Sequence, residues 1–165
     1  CDEIWQAMPH RADEDSRNVV LNEMNQPFAG YALSAAEMEK WALVEDLRDD
    51  VNVVLENARN EKKIGKALEA HVVLYPQGDE GKQAMEKLSA FTTDQLADLF
   101  IVSDVEIAQG SGAAGVKVPG IQAAVSEAKG EKCERCWKHH IKVGANQEHP
   151  TLCPRCARVI RTIEL

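Results

Sequence analysis

Residues 130–140 read GEKCERCWKHH, and residues 153–156 read CPRC. Cys133, Cys136, Cys153 and Cys156 thus form two C-x2-C pairs separated by sixteen residues. A two-residue spacer lets one tight turn aim two sulfurs at one metal. Zinc takes four ligands in a tetrahedron with Zn–S near ~2.3 Å, and two such turns supply all four. Residues 137–152 suffice for a short hairpin that brings the second turn back, and Pro154 preorganises that turn. With every position filled by a thiolate, none is left for water, so the expected site is structural rather than catalytic. Iron in a rubredoxin-like site uses the same ligands and is the competing metal. His139, His140 and His149 offer an alternative of three cysteines and one histidine, but four matched cysteines make a histidine ligand unnecessary. The histidines are expected to face solvent or phosphate.

Residues 129–165 hold few aliphatic side chains, so a metal must stand in for a hydrophobic core. Metal binding then becomes folding free energy, on the order of 10 kcal/mol. Arg135 sits at the tip of the first turn and Trp137 follows it. An exposed tryptophan beside basic residues can stack on an unpaired base for ~1–3 kcal/mol. Arg135, Lys138, Lys142, Arg155 and Arg158 can contact phosphates. Spacing alone leaves Trp137 as packing residue or base platform, packing being the plainer reading.

The chain has 165 residues, 44% hydrophobic, 28% charged and 5% aromatic, an ordinary globular composition with an aliphatic core. No run of ~18 apolar residues predicts a membrane span, and CDEIWQAMPH lacks the features of a signal peptide. Five cysteines are present, Cys1 alone and four in the paired motif; without a secretory signal, paired C-x2-C units read as metal ligands rather than disulfides. Net charge is −8, unevenly spread. Residues 129–165 carry eight Lys/Arg against four acids, +4; the first 128 residues carry 11 against 23, −12. This acidic body with a basic tail is a charge asymmetry to be explained; four thiolates and one divalent zinc would add −2 to the tail, leaving about +2, which acts as a patch only if the basic side chains share a face.

DEIWQAMP reads as a helix end running into Pro9, which makes the chain expected to be a fragment. Little regular structure is expected from residue 10 to 33. Residues 34–63 form the clearest helix: Ser34 and Glu37 fit a capping box, and Trp41, Val44, Leu47, Val51, Val54, Leu55 and Ala58 recur at the spacing of one buried face. Gly65 is its expected stop. Such length suggests a bundle whose other helices are mostly missing. Strands are predicted at 68–75, 100–109 and 121–128, helices at 79–91 and, from a Thr92 cap, at 92–100. GSGAAG, 110–115, reads as a flexible loop and no phosphate loop. The fold class is α+β: a long helix from a helical bundle, a small mixed α/β unit and a C-terminal four-cysteine zinc ribbon or knuckle. The domains divide as 1–63, 64–128 and 129–165.

These strings resemble one family. AKGEKCERCWKHH with CPRC, LRDDVNVVLENARNEKKIGKALEAHVVL (47–74), DLFIVSDVEI (98–107) and DEIWQAMP are similar to the C-terminal region of bacterial isoleucyl-tRNA synthetases. The resemblance covers most of the chain and is weakest at 10–33 and 108–120. It implies the tail of an anticodon-binding helical domain, a small α+β connector and a zinc module against the anticodon region of tRNA-Ile, where Arg135 and Trp137 meet bases. The parent reaction would be ATP-dependent ligation of isoleucine to tRNA, in a cytoplasmic and monomeric enzyme. HIGH- and KMSKS-type signatures are absent from these residues, so ATP and Mg are expected only in a missing catalytic domain, and the rest of the synthetase is a partner in cis. Two readings compete. Formamidopyrimidine-DNA glycosylases end in a related finger, but need an N-terminal Pro-Glu where this chain starts Cys-Asp-Glu. A purely structural or protein-docking zinc ribbon is the other, and exposed Ile4 and Trp5 would then favour weak self-association.

Overall fold

A computed structural model describes residues 2–24 and 26–163; Cys1 lies outside them. Two compact units divide the chain, residues 1–34 and 35–165.

The first unit contains helix α1 (Asp2–Ala7) and two short 3-10 turns, Val19–Leu21 and Ala29–Tyr31. Hydrogen bonds hold it more than packing does. Trp5 Nε1 donates to the Asp15 carbonyl at 3.0 Å, Asp15 N donates to Asn22 Oδ1 at 2.7 Å, and Asn22 Nδ2 donates back to the Asp15 carbonyl. Trp5 is half-buried against His10, while Ile4 is exposed.

The second unit begins with helix α2 (Ala35–Asn60). Strand β1 (Ala70–Pro76), helices α3 (Gly78–Leu88) and α4 (Thr93–Leu99), and strands β2 (Asp104–Ile107), β3 (Ala113–Ala114) and β4 (Ile121–Glu127) follow. The sheet order is β2-β1-β4-β3. Val72 pairs with Val105 in the parallel β1–β2 ladder and with Val125 in the antiparallel β1–β4 ladder. Parallel strands need a crossover, and α3 with α4 supply it. Thr92 Oγ1 accepts from Gln95 N while Gln95 Oε1 accepts from Thr92 N, the capping box that starts α4.

The buried face of α2 (Val44, Leu47, Val51, Leu55, Ala58) joins Ala70, Val72 and Leu74 of β1, Leu88, Leu96, Phe100 and Ile121 in one core. The long helix therefore covers a sheet. It packs within the second compact unit, residues 35–165. Trp41 ends up 38% exposed, at the edge of the Phe91 ring 5.3 Å away.

Helix α2 stops before Gly65. Lys63 N donates to the Ala58 carbonyl and Lys62 N to the Arg59 carbonyl, the pattern of a Schellman cap, with Lys62 in the left-handed region at φ 59°. The segment predicted as a flexible loop carries β3, pinned by Gly112 N donating to Gln122 Oε1 and by Asp50. This carboxylate, buried on α2, accepts from the backbone N–H groups of Val116, Lys117 and Val118 at 2.8–3.1 Å. A side chain at Gly115 would put its Cβ 2.5 Å from Asp50 Oδ2, so the close approach requires glycine.

The C-terminal segment of this unit contains β5 (Glu131–Lys132), β6 (His139–His140) and helix α5 (Pro154–Ile163). The expected hairpin exists but lies elsewhere: β5 and β6 flank the first C-x2-C turn, and residues 141–152 return by turns instead. At Gly130 (φ +92°) a Cβ would collide with the His140 backbone opposite. Among the described residues no helix is long and apolar enough to cross a membrane.

Candidate metal centre

The first knuckle closes through Trp137 N donating to the Cys133 carbonyl at 2.8 Å and Cys133 N donating to the Lys138 carbonyl at 2.9 Å. Trp137 takes φ 66° to make that closure. The second knuckle is a helix start. Cys153 precedes Pro154, the first residue of α5, where a missing N–H costs nothing. Ala157 N donates to the Cys153 carbonyl at 3.0 Å. Pro154 thus preorganises a helical turn.

Cys133, Cys153 and Cys156 are buried, Cys136 is half-buried, and none is in a disulfide. The four Sγ atoms lie within 4.8 Å of one another. Cys136 Sγ stands 3.8 Å from Cys153 Sγ. Zn–S bonds of ~2.3 Å at tetrahedral angles give an S···S edge of about 3.8 Å, whereas a disulfide needs ~2.0 Å. Leu152, Ala157, Val143 and Ile160 surround the sulfurs, so the cysteines are the centre of this small core.

The protonation preferences are unequal. Burial opposes a thiolate at Cys133, but N–H groups of Cys136, Cys153 and Arg135 aimed at its sulfur hold the thiol down to about 6. Burial pushes Cys136 up to about 12 and also raises Cys153. Four sulfurs this close cannot all be anionic without a cation among them, and a soft divalent ion meets that need. The donor set, spacing and closure fit zinc.

The histidines take no part in the cluster. His139 is half-buried rather than fully solvent-facing. Its Nδ1 lies 3.1 Å from the Gly130 carbonyl, and its backbone N–H donates to Ser103 Oγ at 2.7 Å. His140 Nδ1 accepts from Lys142 N.

The six side chains expected to meet RNA separate into three places. Trp137 is 60% exposed, with Lys132 Nζ 5.5 Å from its ring centroid; Arg135 is exposed with a guanidinium nitrogen 3.8 Å from Cys156 Sγ. Lys138 turns inward to Asp98 on α4, Nζ to Oδ1 2.6 Å, with only 18% of its side chain exposed. Arg155 reaches the same carboxylate at 3.7 Å. Lys142 and Arg158 line a concavity between residues 142–148 and α5, together with Arg161. Sequence reasoning missed Asp98, Ser103 and Arg161; only the fold brings the first two to the knuckles.

These features define a zinc finger built on four cysteines. Residues 130–159 match the family described as "Zinc finger found in FPG and IleRS". Over nearly its whole length the chain is homologous to the C-terminal part of bacterial isoleucine–tRNA ligases. It is 41% identical over 163 residues to the isoleucine–tRNA ligase of Geobacillus kaustophilus (strain HTA426), covering 96% of this chain and 17% of that ligase. It is 42% identical over 161 residues to that of Syntrophotalea carbinolica, with coverages of 96% and 16%. It is 42% identical over 165 residues to that of Halalkalibacterium halodurans, with coverages of 98% and 17%. The chain therefore spans about a sixth of the length of the curated relatives it matches.

Proposed function

We propose that this chain is the tRNA-binding, zinc-bearing end of an isoleucine–tRNA ligase, holding the anticodon region of tRNA-Ile while ATP-dependent ligation proceeds elsewhere in the enzyme. Residues 1–34 would continue the anticodon-binding helical domain. The rest of the ligase is the partner in cis, in a cytoplasmic and monomeric enzyme, with ATP and Mg confined to the catalytic part. One structural zinc ion, held by Cys133, Cys136, Cys153 and Cys156, orders the RNA-facing surface.

One observation carries this reading. Trp137 is mostly exposed, in a backbone conformation unfavourable to a large side chain, directly after the second cysteine of the first knuckle. A packing residue would be buried; an indole presented to solvent beside Lys132 and Arg135 is suited to stacking on an unpaired base.

The test is binding of the zinc-loaded chain to an isoleucine anticodon stem-loop. Trp137→Ala should weaken it by about 10-fold or more with one zinc per chain retained. Normal binding by that variant would return Trp137 to a local structural role. Chelation should abolish binding; full binding without metal would remove zinc from the account of the surface.

A further inference from the structure

The basic residues of the finger are not equivalent, because most are already engaged. Lys138 and Arg155 are on Asp98, and Lys132 is over Trp137. Lys142 and Arg158 have no ion-pair partner among the described residues, and both line one concavity of about 580 Å³. Pro154, Ala157, Arg158 and Arg161 approach it from a single face of α5, at i, i+3, i+4 and i+7. Opposite them runs the loop 142–148, shaped by Asn146 Oδ1 accepting from Glu148 N at 3.0 Å. Among the described residues Glu148 is the lone carboxylate lining the concavity, and it is bound to Arg161 Nη2 at 2.9 Å. Two uncommitted cations converge there in a chain whose net charge is −8.

We propose that Lys142, Arg158 and Arg161 form a groove for the phosphodiester backbone of an RNA strand. It is a binding site separate in chemistry from the base-stacking surface at Trp137. The concavity between loop and helix, about 580 Å³, exceeds what a single phosphate needs, which suits a run of backbone. Ala145, Pro154 and Ala157 line it without hydrogen-bonding side chains, and of its two amides, Asn146 and Gln147, the Asn146 Oδ1 is taken up by the loop's own backbone. Its cations meet phosphate rather than base edges, so the groove contributes mainly affinity and little sequence preference. The Glu148–Arg161 pair restrains the third cation and limits the attraction of this surface for unrelated RNA.

This inference rests on the tRNA-binding reading, and the experiment separates the two. The zinc-loaded chain is titrated with an isoleucine anticodon stem-loop and with a scrambled RNA of equal length at several salt concentrations. For Lys142→Ala with Arg158→Ala, the slope of log K against log[salt] should shrink by about 1.4, and affinity for both RNAs should fall about 20-fold at 0.1 M salt. Glu148→Gln should move the other way, raising affinity for both and steepening the slope by about 0.7. Lys129→Ala, outside the groove, is the control. All three altered positions are exposed, and zinc content verifies the fold. If the wild-type chain binds RNA and the double variant keeps its slope, the groove is overturned while the tRNA reading stands. If inorganic phosphate protects Lys142 and Arg158 from chemical modification but the RNA slope does not change, the site takes free phosphate and the proposal also fails. If the wild-type chain binds neither RNA, the broader reading fails first.

Discussion

Asp98 Oδ1 lies 2.6 Å from Lys138 Nζ, and the same carboxylate receives Arg155 from the other knuckle. Each C-x2-C turn thus sends one cation to a single acid on α4. The two cations meet there with both knuckles drawn around one cluster of sulfurs, so metal binding is expected to favour seating of the finger on α4. Ser103 adds a second tether by accepting from His139 N while donating to the Leu68 carbonyl.

Asp98→Asn removes an anion from the module proposed above to face RNA, and simple electrostatics would raise RNA affinity. Loss of orientation acts oppositely, and the expected result is weaker binding with unchanged zinc content. The pair is half exposed, so its stability contribution is only on the order of 0.5 kcal/mol. The Lys138 hydrogen bond, outweighing desolvation, holds the Asp98 carboxyl below its ordinary value of 3.8. A depressed carboxylate stabilises at pH above its unfolded pKa and loses that contribution as pH falls through the folded value. The Asp98→Asn variant should therefore differ from wild type near neutral pH, with the difference shrinking as pH falls below the ordinary carboxylate value of 3.8, which thermal unfolding at a series of pH values would check.

Asp50→Ala should be the most damaging single change in the sheet unit. Burial raises the cost of the Asp50 charge, yet N–H bonds from Val118, Lys117 and Val116 outweigh it and hold the carboxyl low. Removing the acceptor leaves three donors to find water at a site closed by Gly115. The expected loss is about 3 kcal/mol, or a melting temperature lower by roughly 10 °C, read by circular dichroism.

Two non-glycine residues occupy left-handed backbone at turns that close a helix and a knuckle, Lys62 at φ 59° and Trp137 at φ 66°. Lys62→Gly should stabilise by about 1 kcal/mol, since glycine suits the position after a Schellman cap. Trp137→Gly should likewise leave the finger about 1 kcal/mol more stable than Trp137→Ala does. Both Trp137 variants should bind RNA equally poorly. Urea unfolding of zinc-loaded protein measures the first comparison and stem-loop titration the second.

The parts legible in the sequence were those encoded locally. The periodicity of Val44, Leu47, Val51 and Leu55 marks one helix face, Thr92 announces α4, the β-branched run at 72–73 lies in β1, and the cysteine spacing gathers the sulfurs. What escaped was long-range. Asp50 meets residues 116–118 across 66 to 68 positions of chain, and no window reading finds that. The two-residue strand β3 has no pattern of its own and exists because β4 offers it an edge. Gly65 looked like the helix stop, but Lys62 takes the strained position. Lys138 and Arg155 read as free cations because the acid that engages them lies on another element.

A zinc ion with four thiolates carries a net charge of −2, an awkward neighbour for a polyanion. The Arg135 guanidinium at 3.8 Å from Cys156 Sγ, with the Cys153 N–H 3.3 Å from Cys133 Sγ, spreads positive potential over that dianion. Arg135 would accordingly offset part of the charge of a metal–thiolate centre as well as serve as a surface cation. If the finger receives RNA as proposed, that partial shield lowers the electrostatic cost of building the receiving surface around a metal.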